Sequence, residues 1–354
     1  MVSNLINQNA AEADHLLAAR QGNSTRFGEL TEPYRRELQV HCYRILGSLH
    51  EAEDMVQETF LRAWKRLDTY EGRASFRSWL YKIATNACLD YLDSKRTRRL
   101  LPTQSVPASD PHLPIVPHSP EFTWLEPFPD EWLADESALN PEAKFAESES
   151  ISLAFLTALQ TLPPRQRAVL ILRDVLDFSA IETAEVLELT VSAVNSVLHR
   201  ARVTMSKQYH KPDLEDSAPA QTDQRTRWLL DHFVQAWERA DVDGLVALLK
   251  EDAIFAMPPS PSWYLGKFAI GEFAAGTIFA DEGMFTGSAS GRWRLVRTNA
   301  NRSPAFAIYQ RAGQEEYLPF GIIVLDIEKG ALNQIISFLD PSLLTLFGLP
   351  AKLN

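Results

Sequence analysis

The sequence predicts a multidomain protein: two all-α parts, a helix bundle and then a helix-turn-helix, followed by an α+β domain with a curved antiparallel sheet. Three observations carry this. Apolar residues recur at helical spacing through 34–91 and again through 169–205. A proline-rich stretch at 101–141 separates those runs and has no sustained apolar period. Beyond 253 come short segments rich in β-branched and aromatic residues, bounded by Gly, Asn or Pro.

In the first part Tyr34, Leu38, Cys42, Ile45 and Leu49 form one helical stripe. Met55, Val56, Thr59, Phe60, Ala63, Trp64 and Leu67 form a stricter one, and Phe76, Leu80, Ile83, Ala87 and Tyr91 a third beyond the breaker Gly72. The basic run Lys95, Arg96, Arg98 and Arg99 closes the bundle. In the second part Pro163 and Pro164 suit a helix start, where a missing N–H costs nothing, and Ser179 with Glu182 spells a capping box. Thr190 is the expected N-cap of a last helix whose buried stripe is Val191, Val194, Leu198, Ala201 and Met205. In the third part Trp228, Leu229, Phe233 and Trp237 mark one helix and Leu245 to Leu249 another. Strands are expected at 253–259, 292–300, 304–312, 317–328 and 333–340, the sheet curling around the helices. The expected boundaries are 11–100, a linker at 101–146, 147–210, a second linker at 211–223, 224–346 and a tail at 347–354.

At 354 residues and 45% hydrophobic content the chain can bury real cores. It has no apolar run of about 18 residues and no basic-then-apolar leader, so the cytoplasm is the expected compartment and no membrane partner is expected. Cys42 and Cys88 are too few for a disulfide framework and read as small buried thiols; neither a metal nor a cofactor is implied. The net charge of −11 divides unevenly, +2 over 1–100, −9 over 101–150, +2 over 151–211 and −6 beyond. The two basic blocks can still contact phosphates locally, because screening limits reach to about 8–10 Å.

Two patterns point to nucleic acid. The last helix of the second part shows Ser192, Asn195, Ser196, His199 and Arg200 on its outer face, a set that fits a major groove about 12 Å wide. In the first part Phe76, Trp79 and Tyr81 interleave with Arg73, Arg77 and Lys82, then Asn86. Aromatics among cations suit single-stranded DNA, each stacked base contributing about 1–3 kcal/mol. In the connector, WLEPFPD sets large apolar side chains in polar surroundings, so Trp124, Leu125 and Phe128 are expected to dock on another domain.

Three segments then occur in order: HEAEDMVQETFLRAWKRLDTYEG, SFRSWLYKIATNACLDYLDSKRTRR and LPPRQRAVLILRDVLDFSAIETAEVLELTVSAVNSVLHRARVTM. Together they resemble bacterial RNA polymerase sigma factors of the extracytoplasmic-function (ECF) type, in the sigma-70 family. MPPSPSWYLGKFAIGEF and FLDPSLLTLFGLP are similar to a SnoaL-like domain fused to one subgroup of these factors.

The resemblance implies that 25–100 is sigma domain two and 147–207 sigma domain four, with core RNA polymerase (beta-prime clamp helices and beta flap) and promoter DNA as partners. It implies clamp contacts by Asp54, Gln57, Glu58, Leu61 and Trp64, of which the first four lie off or at the edge of the apolar stripe. For the −10 element it implies the loop from Tyr70 to Ser75 and the helix through Trp79, Lys82 and Asn86, beside the cations Arg73, Arg77, Arg96, Arg98 and Arg99. For −35 it implies Thr190, Ser192, Asn195, Ser196 and Arg200, next to His199. A SnoaL-like cone implies an apolar cavity that His232, Trp263, Tyr264, Tyr309 and Asp340 would line around a small-molecule ligand. No catalytic constellation can be assigned, so the chain is expected to be a transcription factor with a modulating tail and not an enzyme. The alternative is a DNA-targeted protein whose tail is a small-molecule enzyme or ligand sensor.

Overall fold

The helical stripes close into helices with the caps their ends require. The computed structural model describes residues 12–95, 99–118, 123–133, 149–209, 224–285 and 287–354. They divide into two compact units. One holds the described residues up to Lys95, Trp132 and Leu133, and Ala158–Tyr209; the other holds Arg99–Glu131, 149–157, and all that is described from Gln224 onward.

In the helical unit, α1 (12–20), α2 (Ser24–Thr31), α3 (Arg35–Leu46), α4 (Leu49–Lys65) and α5 (Phe76–Lys95) follow one another. The Ser48 hydroxyl accepts from the Glu51 amide at the start of α4, and Gly47, with φ +72°, ends α3 in the left-handed conformation that glycine adopts without strain. Leu38, Cys42, Ile45, Leu49, Val56, Phe76 and Leu80 are buried as their spacing requires. Both cysteines are buried and free, and burial pushes the Cys88 thiol up. After α6 (Leu153–Leu159), within which the division between units falls, come α7 (Pro164–Leu170), a π turn at Ile171–Val175, α8 (Ala180–Leu187) and α9 (Val191–Gln208). Ser179 and Glu182 form the capping box, and the Thr190 hydroxyl caps α9. Val191 departs from expectation: it is exposed, and the buried stripe of α9 begins at Val194.

The two helical parts, expected as separate domains, share this unit. Buried Arg167 explains part of the union, since its guanidinium donates to the carbonyls of Ile45, Gln160 and Leu162. A buried cation is stable only where such partners converge.

The second unit contains a six-stranded sheet ordered β4-β3-β8-β7-β6-β5. Its strands are β3 (Leu249–Ala256), β4 (Trp263–Leu265), β5 (Trp293–Ala300), β6 (Ser303–Arg311), β7 (Tyr317–Glu328) and β8 (Ala331–Phe338). Every pair is antiparallel except β3 with β8, so the sheet is antiparallel as expected but for that one parallel pair. Helices α10 (Gln224–Arg239), α11 (Val242–Ala247) and α12 (Lys267–Phe273) share a core with the sheet. Phe233, Trp237, Phe255, Phe273, Trp293 and Phe306 dominate it. The helix expected through Leu249 stops at Ala247, and β4, only three residues long, has no legible period.

The connector and tail are corrected by the structure. Residues 99–131 are part of this unit, and Arg99–Leu100 (β1) pairs in parallel with Thr123–Trp124 (β2). The tail pairs through Leu353 with Tyr317, while the Tyr309 hydroxyl donates to the Pro350 carbonyl at 2.9 Å. A short helix, α13 (Ser342–Leu346), precedes it. Proline-rich chain lacks internal hydrogen bonds, and here its carbonyls and amides find partners on the cone. The linker expected at 211–223 lies outside the described residues. Among the described residues no helix is long and apolar enough to cross a membrane.

Candidate nucleic-acid interface

Helix α4 turns Asp54, Gln57, Glu58 and Leu61 into a groove bounded opposite by Asp90 and Tyr91 of α5. Leu61 is 47% exposed. Arg62 spans the groove, 2.7 Å from Glu58 and 2.8 Å from Asp90, and these carboxylates hold its guanidinium above the usual pKa. The groove therefore offers apolar side chains, Met55, Leu61 and Ala87, inside an acidic rim, suited to a partner that is both apolar and basic. Trp64, expected among these residues, packs edge-on against Phe27 at 5.0 Å and is outside the residues lining the groove. Indole area covers the bundle better than it tolerates water, which is why the apolar stripe claims it.

The residues expected at −10 divide by environment. Arg73 is exposed, 2.7 Å from Glu71, and the Ser75 hydroxyl accepts from the Ser78 amide at the start of α5. Trp79 is half-buried against Tyr70 and Phe76, with centroids 5.2 and 5.5 Å away. Arg77 is bound to Glu37 at 2.8 Å and lies over the Tyr81 ring at 4.7 Å, so it braces the bundle. Lys82 and Asn86 meet α8 and its C-cap: Lys82 is 3.3 Å from the Glu188 carboxylate, and the Asn86 amide donates to the Val186 carbonyl at 3.5 Å. Arg96 and Arg98 lie outside the described residues. Arg99 sits in β1 of the other unit, donates to the Trp124 carbonyl at 2.8 Å and lies 3.6 Å from Glu126.

On α9 the expected −35 residues come together. Ser192, Asn195, Ser196, His199 and Arg200 line one exposed face. Thr190 stands at its start with its hydroxyl accepting from the Ala193 amide at 3.2 Å. Arg202 is held bidentate by Asp174 at 2.7 and 2.9 Å. The sequence reading missed Val191 on this row, although its spacing of four to Asn195 and eight to His199 assigns all three to one face.

Trp124, Leu125 and Phe128 are all buried. Phe128 exchanges two hydrogen bonds with Asn301, its amide donating to Oδ1 and its carbonyl accepting from the Asn301 amide, each at 2.9 Å. The Asn301 Nδ2 donates to the Ile151 carbonyl at 2.8 Å, and Asp130 accepts from the Arg302 amide at 2.8 Å. Asn301 and Arg302, with φ +54° and +59°, form the two-residue turn between β5 and β6, a geometry that matches strand twist and that Asn tolerates. Upstream, Trp263 donates from Nε1 to the Val106 carbonyl at 2.9 Å, and Val116 bonds to Ser260 and Ser262 at 2.8 and 3.0 Å. Sequence reasoning missed Asn301; an Asn-Arg pair between two strand patterns was the available signal.

The five residues expected to line a cavity each engage other neighbours. His232 stacks on exposed Trp228 at 4.0 Å, with Nδ1 2.7 Å from that residue's carbonyl. Asp340 accepts from the amide and hydroxyl of Ser342, 2.9 and 2.6 Å away. Trp263 meets the connector, and Tyr309 meets the tail. Tyr264 faces the core, stacked on Phe273 at 4.1 Å, its phenol pushed up to about 12 by burial. Backbone groups and the Ser342 hydroxyl thus engage polar atoms of His232, Trp263, Tyr309 and Asp340.

Comparisons with known proteins agree with the order of these parts. Sigma-70 region 2 matches residues 30–98, and sigma-70 region 4 matches 152–205. The ECF RNA polymerase sigma factor SigG of Mycobacterium tuberculosis is 42% identical over 327 residues, covering 92% of this chain and 85% of that protein. SigW of Bacillus subtilis is 30% identical over 193 residues, 53% of this chain and 91% of its own length. The crystal structure of Mycobacterium tuberculosis SigJ shares the fold, with a TM-score of 0.55 at 21% identity over 91% of this chain and 99% of that one. Both sigma-70 regions in order and 42% identity to SigG over 92% of the chain meet in one conclusion: the chain belongs to the ECF RNA polymerase sigma factors, which initiate transcription of a specific regulon.

Proposed function

We propose that this sigma factor engages the beta-prime clamp helices through Asp54, Gln57, Glu58 and Leu61 and captures −10 with Arg73, Ser75, Trp79, Lys82 and Asn86. It reads −35 with Ser192, Asn195, Ser196, His199 and Arg200, Thr190 acting as the cap that positions them. The observation that carries this reading is the α9 row, because a helix about 10–12 Å across presenting polar and cationic side chains on one open face fits a major groove. The C-terminal unit regulates in cis and turns over no metabolite. What supports this is that His232 and Asp340 spend their polar atoms locally, while residues 99–131, the chain between the two promoter readers, are built into that unit. Tethering sets the effective concentration of the second reader, so docking or releasing the connector changes promoter binding without altering any DNA contact.

The test is transcription from a fragmented genomic library by bacterial core polymerase, comparing the full chain with one stopped after Lys211. Discrete starts that require the protein are expected, and their number or strength should change on truncation. Identical starts from both forms would remove regulation in cis. Turnover of a candidate metabolite by the full chain would instead make the unit an enzyme.

A further inference from the structure

We propose that Val191 is a specificity-determining residue of the reading helix: its methyl groups meet the C5-methyl of a thymine, so the −35 element carries a thymine where the first turn of α9 enters the groove. This rests on the −35 reading proposed above and adds to it a contact that the polar residues of that face do not make. Val191 is the first residue of α9, directly after the Thr190 cap, and is 40% exposed. It shares one open face with Ser192, Asn195, Ser196, His199 and Arg200. Their spacing sets Val191, Asn195 and His199 in one row, with Ser192, Ser196 and Arg200 in the next. In a helix that reads the major groove, the N-terminal residues are the ones that reach base edges.

The chemistry of the side chain decides what Val191 can read. It carries no donor or acceptor, so it neither bonds a polar base edge nor holds a phosphate. Among the groups that base pairs present in the major groove, the thymine methyl is the apolar one. The fold does not claim Val191 for itself: the buried stripe of α9 is Val194, Leu198, Ala201 and Met205, and a β-branched residue favours a helix less than alanine does. Branching instead confines χ1 to one rotamer in a helix, so the methyl groups are placed before DNA arrives and little side-chain freedom is lost on contact. Asn195 follows one turn later, about 6 Å along the axis, which spans about two base steps of about 3.4 Å. The thymine is therefore expected within about two base pairs of the base that Asn195 reads. Val203, the other exposed valine of α9, lies about 18 Å further along the axis and outside the residues lining the open face.

The experiment measures, by fluorescence anisotropy, how tightly core polymerase carrying the full chain binds a labelled promoter duplex mapped with this protein. Each thymine of the −35 element is replaced singly by deoxyuridine, which keeps the base pair and removes only the methyl group. Wild type should lose about three- to tenfold in affinity at one thymine, the scale of one or two buried methyl groups. Val191→Ala should lose as much on the unmodified duplex and be indifferent to deoxyuridine at that position. Val191→Ile should keep the response, and Val203→Ala should match wild type throughout. If wild type and Val191→Ala respond alike to every deoxyuridine, or if the mapped element holds no thymine, the proposal is refuted. A loss in Val191→Ala with no deoxyuridine effect would set the side chain against the sugar and refute it equally. Asn195→Ala and Arg200→Ala test the underlying reading separately. If both leave the preference for the native −35 sequence over a scrambled one unchanged, the −35 reading itself falls; if they abolish that preference while deoxyuridine has no effect, the role of Val191 alone is lost.

Discussion

Asn301 holds the connector to the C-terminal unit, and replacing it tests whether that attachment is energetic or incidental. The side chain is fully buried and bridges two segments distant in sequence, accepting from the Phe128 amide at 2.9 Å and donating to the Ile151 carbonyl at 2.8 Å. Asn301→Gly keeps the left-handed backbone and removes this bridge, taking one partner from each of the two groups. At about 1–3 kcal/mol for each buried group left unsatisfied, the expected loss is about 2–6 kcal/mol. Asn301→Ala adds about 1–2 kcal/mol for a Cβ at φ +54°. Thermal unfolding followed by tryptophan fluorescence should register a fall of about 2–4 °C per kcal/mol for a unit of this size. Limited proteolysis should show faster cleavage between 101 and 131, where the freed strand lies. If Asn301→Gly stays within about 0.5 kcal/mol of wild type and leaves that cleavage rate unchanged, the bridge does not hold the connector.

His41 is fully buried, its Nε2 against the Thr85 hydroxyl at 2.8 Å, and burial, reinforced by Arg44 and Arg77, lowers its pKa to about 3. The folded value lies below the unfolded 6.5, so the unfolded chain takes up the proton first. Stability of the helical unit should be full above about pH 6.5 and fall by up to about 1.4 kcal/mol per pH unit toward 3, with His41→Leu flattening the slope in unfolding measured from pH 7.5 to 4.5. Thr190→Ala should cost about 1 kcal/mol by loss of the α9 cap, whereas Thr190→Ser should keep both stability and −35 binding. Leu61→Ala should weaken binding to core polymerase by about 5- to 30-fold in a pull-down titration, with no shift in melting temperature because the side chain is half exposed.

Much of the site was legible because its signals are local. The Ser179–Glu182 box, the Thr190 cap and the outer face of α9 each depend on residues within about two helical turns, and the structure reproduces all three. The same logic misplaced Val191: a β-branched residue beside a cap looks like core unless its angular position is counted. Trp64 and Arg77 show the converse. Their residue types suit a partner, yet Phe27 and Glu37, each some 40 residues away in the chain, claim them for the bundle.

By itself the amino-acid sequence determined most of the helices, the long strands and the caps, since hydrophobic period and capping chemistry act over a few residues, and its three quoted segments carried the family resemblance. Only the tertiary structure decided that residues 99–131 join the cone, that α5 meets α8 and its C-cap, and that His232 and Asp340 bond to Trp228 and Ser342. Those outcomes rest on single hydrogen bonds and ion pairs between positions about 100 to 170 apart, such as Asn86 with Val186 and Phe128 with Asn301. Such pairs have no period, so nothing in the order of residues announces them before the chain has folded.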